Sequence, residues 1–106
     1  MKAKNLKILK EFLKIEGKEA ALDKVAEEAV ELALAIIQYR CPTKLNKKKR
    51  LNDIYKELAD VKIVVRKAEL FLNKRKINRL VNKKLEEKKI KFKIGKLTPK
   101  QSKQNK

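Results

Sequence analysis

KVAEEAVELALAII, residues 24–37, contains no Gly, no Pro and, after Lys24, no base. Ala, Leu and Glu dominate it, and these are strong helix formers. At about 100° per residue, Lys24, Glu27, Glu28, Glu31 and, further on, Gln38 fall within one arc of roughly 100°. Nearly everything else from Ala21 to Ile37 is apolar. The pattern predicts a helix from about 19 to 39, buried around more than half its circumference, with glutamates as its only polar stripe.

The flanks repeat the helical period. Leu6, Leu9, Phe12 and Leu13 predict a helix over 3–15, which Gly17 interrupts. Pro42 should end the second helix, and TKLNKKKR (43–50) reads as a basic connection. A third helix is expected over 51–73. A fourth, marked by Ile77, Leu80, Val81 and Leu85, should begin near 76 and fade around 92. With two Gly and two Pro in 106 residues and no strand-like alternation, the fold class is all-α. Residues 1–92 form one domain, and 93–106 a basic, disordered tail. A core this small leaves a thin stability margin, so self-association would help.

The chain carries 31 Lys and Arg against 13 Asp and Glu, a formal charge of +18. That charge predicts attraction to polyanions such as nucleotides and nucleic acid. Only five of the bases are Arg, so for many surface lysines a compositional bias explains as much. A single cysteine excludes an internal disulfide. The absence of His excludes a Cys/His zinc site and a His-based catalytic triad. The opening MKAKNLKILKEF is too charged for a signal peptide, and the longest apolar run, LALAII (32–37), is far short of a membrane span. A cytoplasmic protein without membrane contact is the expectation.

Against this charge the acids are oddly placed. None of Glu27, Glu28 and Glu31 has a base three or four residues on, and Glu27 and Glu28 both look onto Glu31. Like charges at that spacing repel. The third helix repeats the anomaly. Lys62, Arg66, Glu69 and Asn73 predict its solvent stripe; Ile54, Leu58, Val61, Val65, Ala68 and Leu72 predict its core stripe. Glu57 and Asp60 share the direction of Val64, Ala68 and Phe71, toward the interior, again without a following base. Lys56 projects outward at a different angle. Carboxylates on an apolar side need compensation. Two acidic clusters face to face with a divalent cation between them would supply it, and an all-oxygen set suits Mg²⁺, with Mn²⁺ as the alternative ion. Mg²⁺ keeps several waters and completes its shell with substrate phosphates.

Glu27-Glu28-Ala29-Val30-Glu31, a gap of 25 residues, then Glu57-Leu58-Ala59-Asp60 resembles the EExxE…ExxD pattern of the MazG-like all-α nucleotide pyrophosphohydrolases. ALDKVAEEAVELALAIIQYR and LNDIYKELADVKIVV look like the short, phage-type members. LVNKKLEEKKI resembles the family's last helix, with Asn82 and Lys84 at phosphate-approaching positions. Lys84 also shares a face with Ile77, Leu80, Val81 and Leu85. The resemblance covers about residues 15–92. DKVAEEAVE also resembles the phosphoribosyl-ATP pyrophosphohydrolases, but Val61-Lys62-Ile63-Val64-Val65 stands where their aromatic and His-containing signature is expected.

The resemblance implies a four-helix MazG-like bundle completed by oligomerisation, a homodimer or homotetramer in which two subunits shape the site. It implies Mg²⁺-dependent cleavage of a nucleoside triphosphate between the α and β phosphates. Glu28, Glu31, Glu57 and Asp60 would hold the metal, with Glu27 outside that set as base and Glu28 sharing in catalysis. Asn82, Lys84 and Lys88 would bind the polyphosphate. Two departures stand out: the charge is far more basic than the family's, and KLNKKKR and the tail have no counterpart. Tyr39 and Tyr55 are base-recognising candidates by position only. Two other readings stay open. One is a small basic helical nucleic-acid-binding protein, using the connection and tail for non-specific contact. The other is a member of the fold that binds nucleotide without cleaving it.

Overall fold

The computed structural model describes residues 1–41 and 46–96, with backbone only for 93–96. Four helices make up these residues: α1 (Ala3–Glu16), α2 (Lys18–Arg40), α3 (Lys47–Glu69) and α4 (Lys74–Lys96). The fold is all-α, with no strand among the described residues. Pro42 lies outside them; of the tail expected over 93–106, residues 93–96 continue α4 and the rest lies outside the described residues. The chain divides into two units, Met1–Leu72 and Asn73–Lys106.

In the first unit α2 and α3 form the main packed pair, and α1 rests more lightly on both. The pair is antiparallel, because partners descend α2 as they climb α3. Lys47 lies over the Tyr39 ring at 4.6 Å, Arg50 bonds Gln38, and Glu57 groups with Glu28 and Glu31. Lys18, at the start of α2, lies over the Phe71 ring at 5.9 Å, beyond the end of α3.

Burial follows a near-heptad stripe on both helices. On α2 the buried and half-buried positions include Ala21, Val25, Glu28, Leu32, Ala35 and Tyr39. On α3 they include Arg50, Ile54, Glu57, Val61, Val64 and Ala68, and the same spacing continues to Phe71 beyond its end. Spacings of three and four residues are those of a seam between paired helices. The core is small: Leu9, Ala21, Ala35, Val64 and Ala68 are its buried apolar members.

Several sequence expectations shift here. The core face of α3 centres on Val61, Val64 and Ala68, while Leu58, Val65 and Leu72 are exposed. Arg66 and Glu69, expected in the solvent stripe, are half-buried and form an ion pair at 3.9 Å. The wide apolar arc of α2 is not buried within the chain: Val30 is 67% and Ile37 65% exposed. Three helices do not supply enough surface to cover it.

The helix boundaries have local causes. Gly17 alone separates α1 from α2, at φ 91° and ψ 165°, a region essentially reserved for Gly. Its N–H bonds Leu13 O at 2.8 Å, closing α1. The third helix begins at Lys47 instead of 51 because Asn46 caps it, its Oδ1 accepting from the N–H groups of Lys48 (3.0 Å) and Lys49 (3.3 Å). Four bases, Lys47 to Arg50, thus occupy a first turn that disfavours them. The antiparallel partner offsets this, since Lys47 donates to Tyr39 O and Arg50 to Gln38 at the end of α2. The same helix ends at Glu69, before 73, because Asn73 caps α4 by accepting from Lys76 N at 3.0 Å.

The second unit is described over α4, which is strongly basic. Ile77 is half-buried, whereas Leu80, Val81 and Leu85 are exposed.

Candidate functional site

The seam between α2 and α3 carries carboxylates where apolar residues belong. Glu28 occupies the position between Val25 and Leu32, and Glu57 that between Ile54 and Val61. One carboxylate oxygen from each of Glu28, Glu31 and Glu57 lies within 4.8 Å of the others. Glu28 Oε2 and Glu57 Oε2 are buried and have no hydrogen-bond partner. Such atoms are costly unless something compensates them.

The electrostatics follow from this crowding. Burial, then the close approach of the Glu31 side chain, then the charges of Glu31, Asp60 and Glu57 raise the Glu28 carboxyl above its ordinary value. Burial, then the charges of Glu31, Asp60 and Asp53 do the same for Glu57. Like charges crowded at this spacing repel, and positive charge, as protons or as a cation, would relieve them.

Asp60 is exposed and outside the tight group of three, but its charge acts on both Glu28 and Glu57. Glu27 stands apart, exposed and paired with Lys24 at 3.7 Å. Asn82, Lys84 and Lys88 belong to the second unit and are exposed along α4, so Lys84 does not face a core there.

The donors fit a divalent ion. All are oxygens, two of the residues carry a buried oxygen without a partner, and their separation of at most 4.8 Å is compatible with ligands on one Mg²⁺, which span up to about 4 Å. Beside the acids a cleft of about 260 Å³ opens between α2 and α3, lined by Glu31, Leu34, Ala35, Gln38, Asp53, Lys56 and Glu57. Sequence reasoning passed over Asp53 and turned Lys56 outward. Lys56 is exposed but borders this cleft. Asp53 falls four residues before Glu57, a spacing that places both on one side of α3.

No family model, curated protein or solved structure matches the chain. Among the described residues, no helix is long and apolar enough to cross a membrane.

Proposed function

We propose that this chain is a Mg²⁺-dependent nucleoside triphosphate pyrophosphohydrolase. Water adds across the bridge between the α and β phosphates, yielding the nucleoside monophosphate and pyrophosphate. The carrying observation is the pair of buried, partnerless oxygens on Glu28 and Glu57, at seam positions of facing helices and grouped with Glu31. A chain with formal charge +18 that leaves these acids without a basic partner is matched to a cation brought from outside. The EExxE…ExxD resemblance supports the same reading.

Glu28, Glu31, Glu57 and Asp60 would hold the ion. When bound, Mg²⁺ supplies neutralisation of phosphate charge and a polarised water. Glu27, outside the acid group, is the candidate base. Asn82, Lys84 and Lys88 are the candidate phosphate contacts from α4, and the surrounding positive charge attracts the polyanion.

A second copy of the chain belongs to this reading. Phe12, Ile15, Val30 and Ile37 present apolar side chains to solvent. A homodimer or homotetramer would cover them.

Pyrophosphate release from a panel of NTPs and dNTPs, with and without Mg²⁺, tests the proposal. Turnover should require the ion. Glu28→Ala or Asp60→Ala should lower it by more than about 100-fold, beyond the cost of losing a group that merely orients a ligand. Turnover of no nucleotide, or variants equal to the wild type, would sink the reading.

The exposed bases of α4, among them Lys74, Arg75, Lys76, Arg79 and Lys83, favour one further role, sequence-independent contact with nucleic acid. Duplex binding that survives moderate salt would support it.

A further inference from the structure

The cleft beside the acids has an order along its length. At one end stand Glu31 and Glu57. One turn on, Leu34 and Ala35 give α2 an apolar surface, with Asp53 and Lys56 on α3. Gln38 closes the far end, seven residues beyond Glu31, or about 10 Å along the helix. Arg50 Nη1 donates to Gln38 Oε1 at 2.9 Å. A guanidinium has no acceptor, so this bond fixes which way the amide faces. The Gln38 NH₂ group is left as the donor available to the cleft. Asp53 is an acceptor on the facing helix, and among the described residues Lys56 is the one cation in the lining.

We propose that this cleft is the nucleoside subsite: sugar and base lie over Leu34 and Ala35, Gln38 donates to the base, Asp53 accepts from a sugar hydroxyl, and Lys56 takes the phosphate nearest the sugar. The assignment rests on the nucleotide reading of the acid site and goes beyond it, since neither motif includes these residues. Three features carry it. The cleft shares two walls with the acids, so a ligand whose phosphates meet them runs directly into it. Its volume is near the lower bound of small-molecule sites, about 300 Å³. Its chemistry changes along its length from anionic, through Lys56, an apolar floor and the acceptor Asp53, to an oriented amide. A phosphate, a sugar and a base present matching demands in that sequence.

The test compares a nucleotide with the same charge lacking a nucleoside. Calorimetry would measure binding of α,β-methylene nucleoside triphosphates, which resist cleavage at that bridge, and of tripolyphosphate, both with Mg²⁺. Gln38→Ala should weaken the tightest-binding nucleotide analogue about tenfold, the loss of one hydrogen bond, and leave tripolyphosphate unchanged. Asp53→Asn keeps an acceptor but loses its charge, which also acts on Glu57, so the nucleotide analogue should lose affinity relative to tripolyphosphate. Lys56→Ala should weaken both ligands. Arg50→Ala, which frees the amide to rotate, should reduce discrimination among bases more than affinity for tripolyphosphate.

Equal binding of the nucleotide analogues by wild type and by the Gln38 and Asp53 variants would overturn the subsite. So would equal loss of nucleotide and tripolyphosphate in Asp53→Asn, which would make Asp53 part of the metal site. Binding is read without turnover, so failure here is distinct from failure of the hydrolase reading. A wild type that releases pyrophosphate while its Gln38 and Asp53 variants bind nucleotide normally would retain the activity and lose this subsite.

Discussion

Two places on α3 draw charge into the first unit, and the protein treats them differently. At Lys67 the compensation is internal. The residue is 5% exposed, and its ammonium meets the Glu16 carboxylate at the end of α1. At Glu57 no base arrives; what arrives is Glu28 and Glu31, which add to the problem. Both residues belong to the same helix, in a chain with far more bases than acids. Placing a lysine near Glu57 would have been easy, and Lys67 shows that the fold can bury one. The contrast separates a charge that holds helices together from charges that the described fold leaves uncompensated.

The largest effect on stability should come from the compensated end. Lys67→Ala removes a charge-assisted hydrogen bond and strands the Glu16 carboxylate, whose side chain is 32% exposed. Urea unfolding should show a loss of about 1.5–3 kcal/mol. Glu57→Gln should move the other way in metal-free protein, because it removes repulsion without removing a partner. Loss of stability in both variants would erase the distinction.

Gly17 tests the same end from the backbone side. It follows Glu16 directly, and its positive φ sets the direction in which α1 leaves α2. A Cβ at this position meets nothing within 4 Å, so Gly17→Ala costs backbone strain alone. About 1 kcal/mol is expected, the low end for an L residue in this region. Thermal unfolding with and without Mg²⁺ checks it: the loss should be the same in both, since the acids lie elsewhere.

The acids were legible in the sequence because their signal is an absence. Helical arithmetic turned Glu57 toward Val64, Ala68 and Phe71, and the missing bases at three and four residues marked the group as uncompensated. The same arithmetic grouped Glu28 with Glu27 in one polar stripe facing the acids of α3, whereas Glu28 alone of the two enters the seam and Glu27 stays exposed, because the angular centre of a buried face depends on which helix packs against it. Lys67 was invisible for a related reason. A lysine on a lysine-rich helix reads as solvated until a tertiary partner, Glu16, is known. The start of α3 was obscured by KKKR, whose charge suggests a connection although Asn46 before it is a good cap. Asp53, Lys56 and the Gln38–Arg50 pair needed the antiparallel register of α2 and α3. No single helix contains that information.

The smallest predicted effect is also the most specific to the uncompensated end. Burial and neighbouring acids raise the Glu28 and Glu57 carboxyl groups above the ordinary glutamate value of 4.5. In metal-free protein the folded state therefore holds these protons more tightly than the unfolded chain. Stability from that source is fully present below the unfolded value and is lost as pH rises through the raised one. Wild type alone would not display this cleanly, because acidification also increases the repulsion among 31 basic residues. Comparison with a Glu28→Gln/Glu57→Gln double variant removes that shared background. At neutral pH the double variant should melt above metal-free wild type, and the gap should close as pH falls toward 4.5. Mg²⁺ at neutral pH should close it from the other side, by raising the melting temperature of wild type alone. A gap that stays constant with pH, or an equal gain from Mg²⁺ in both proteins, would mean that these two carboxylates are no more strained than those on the surface.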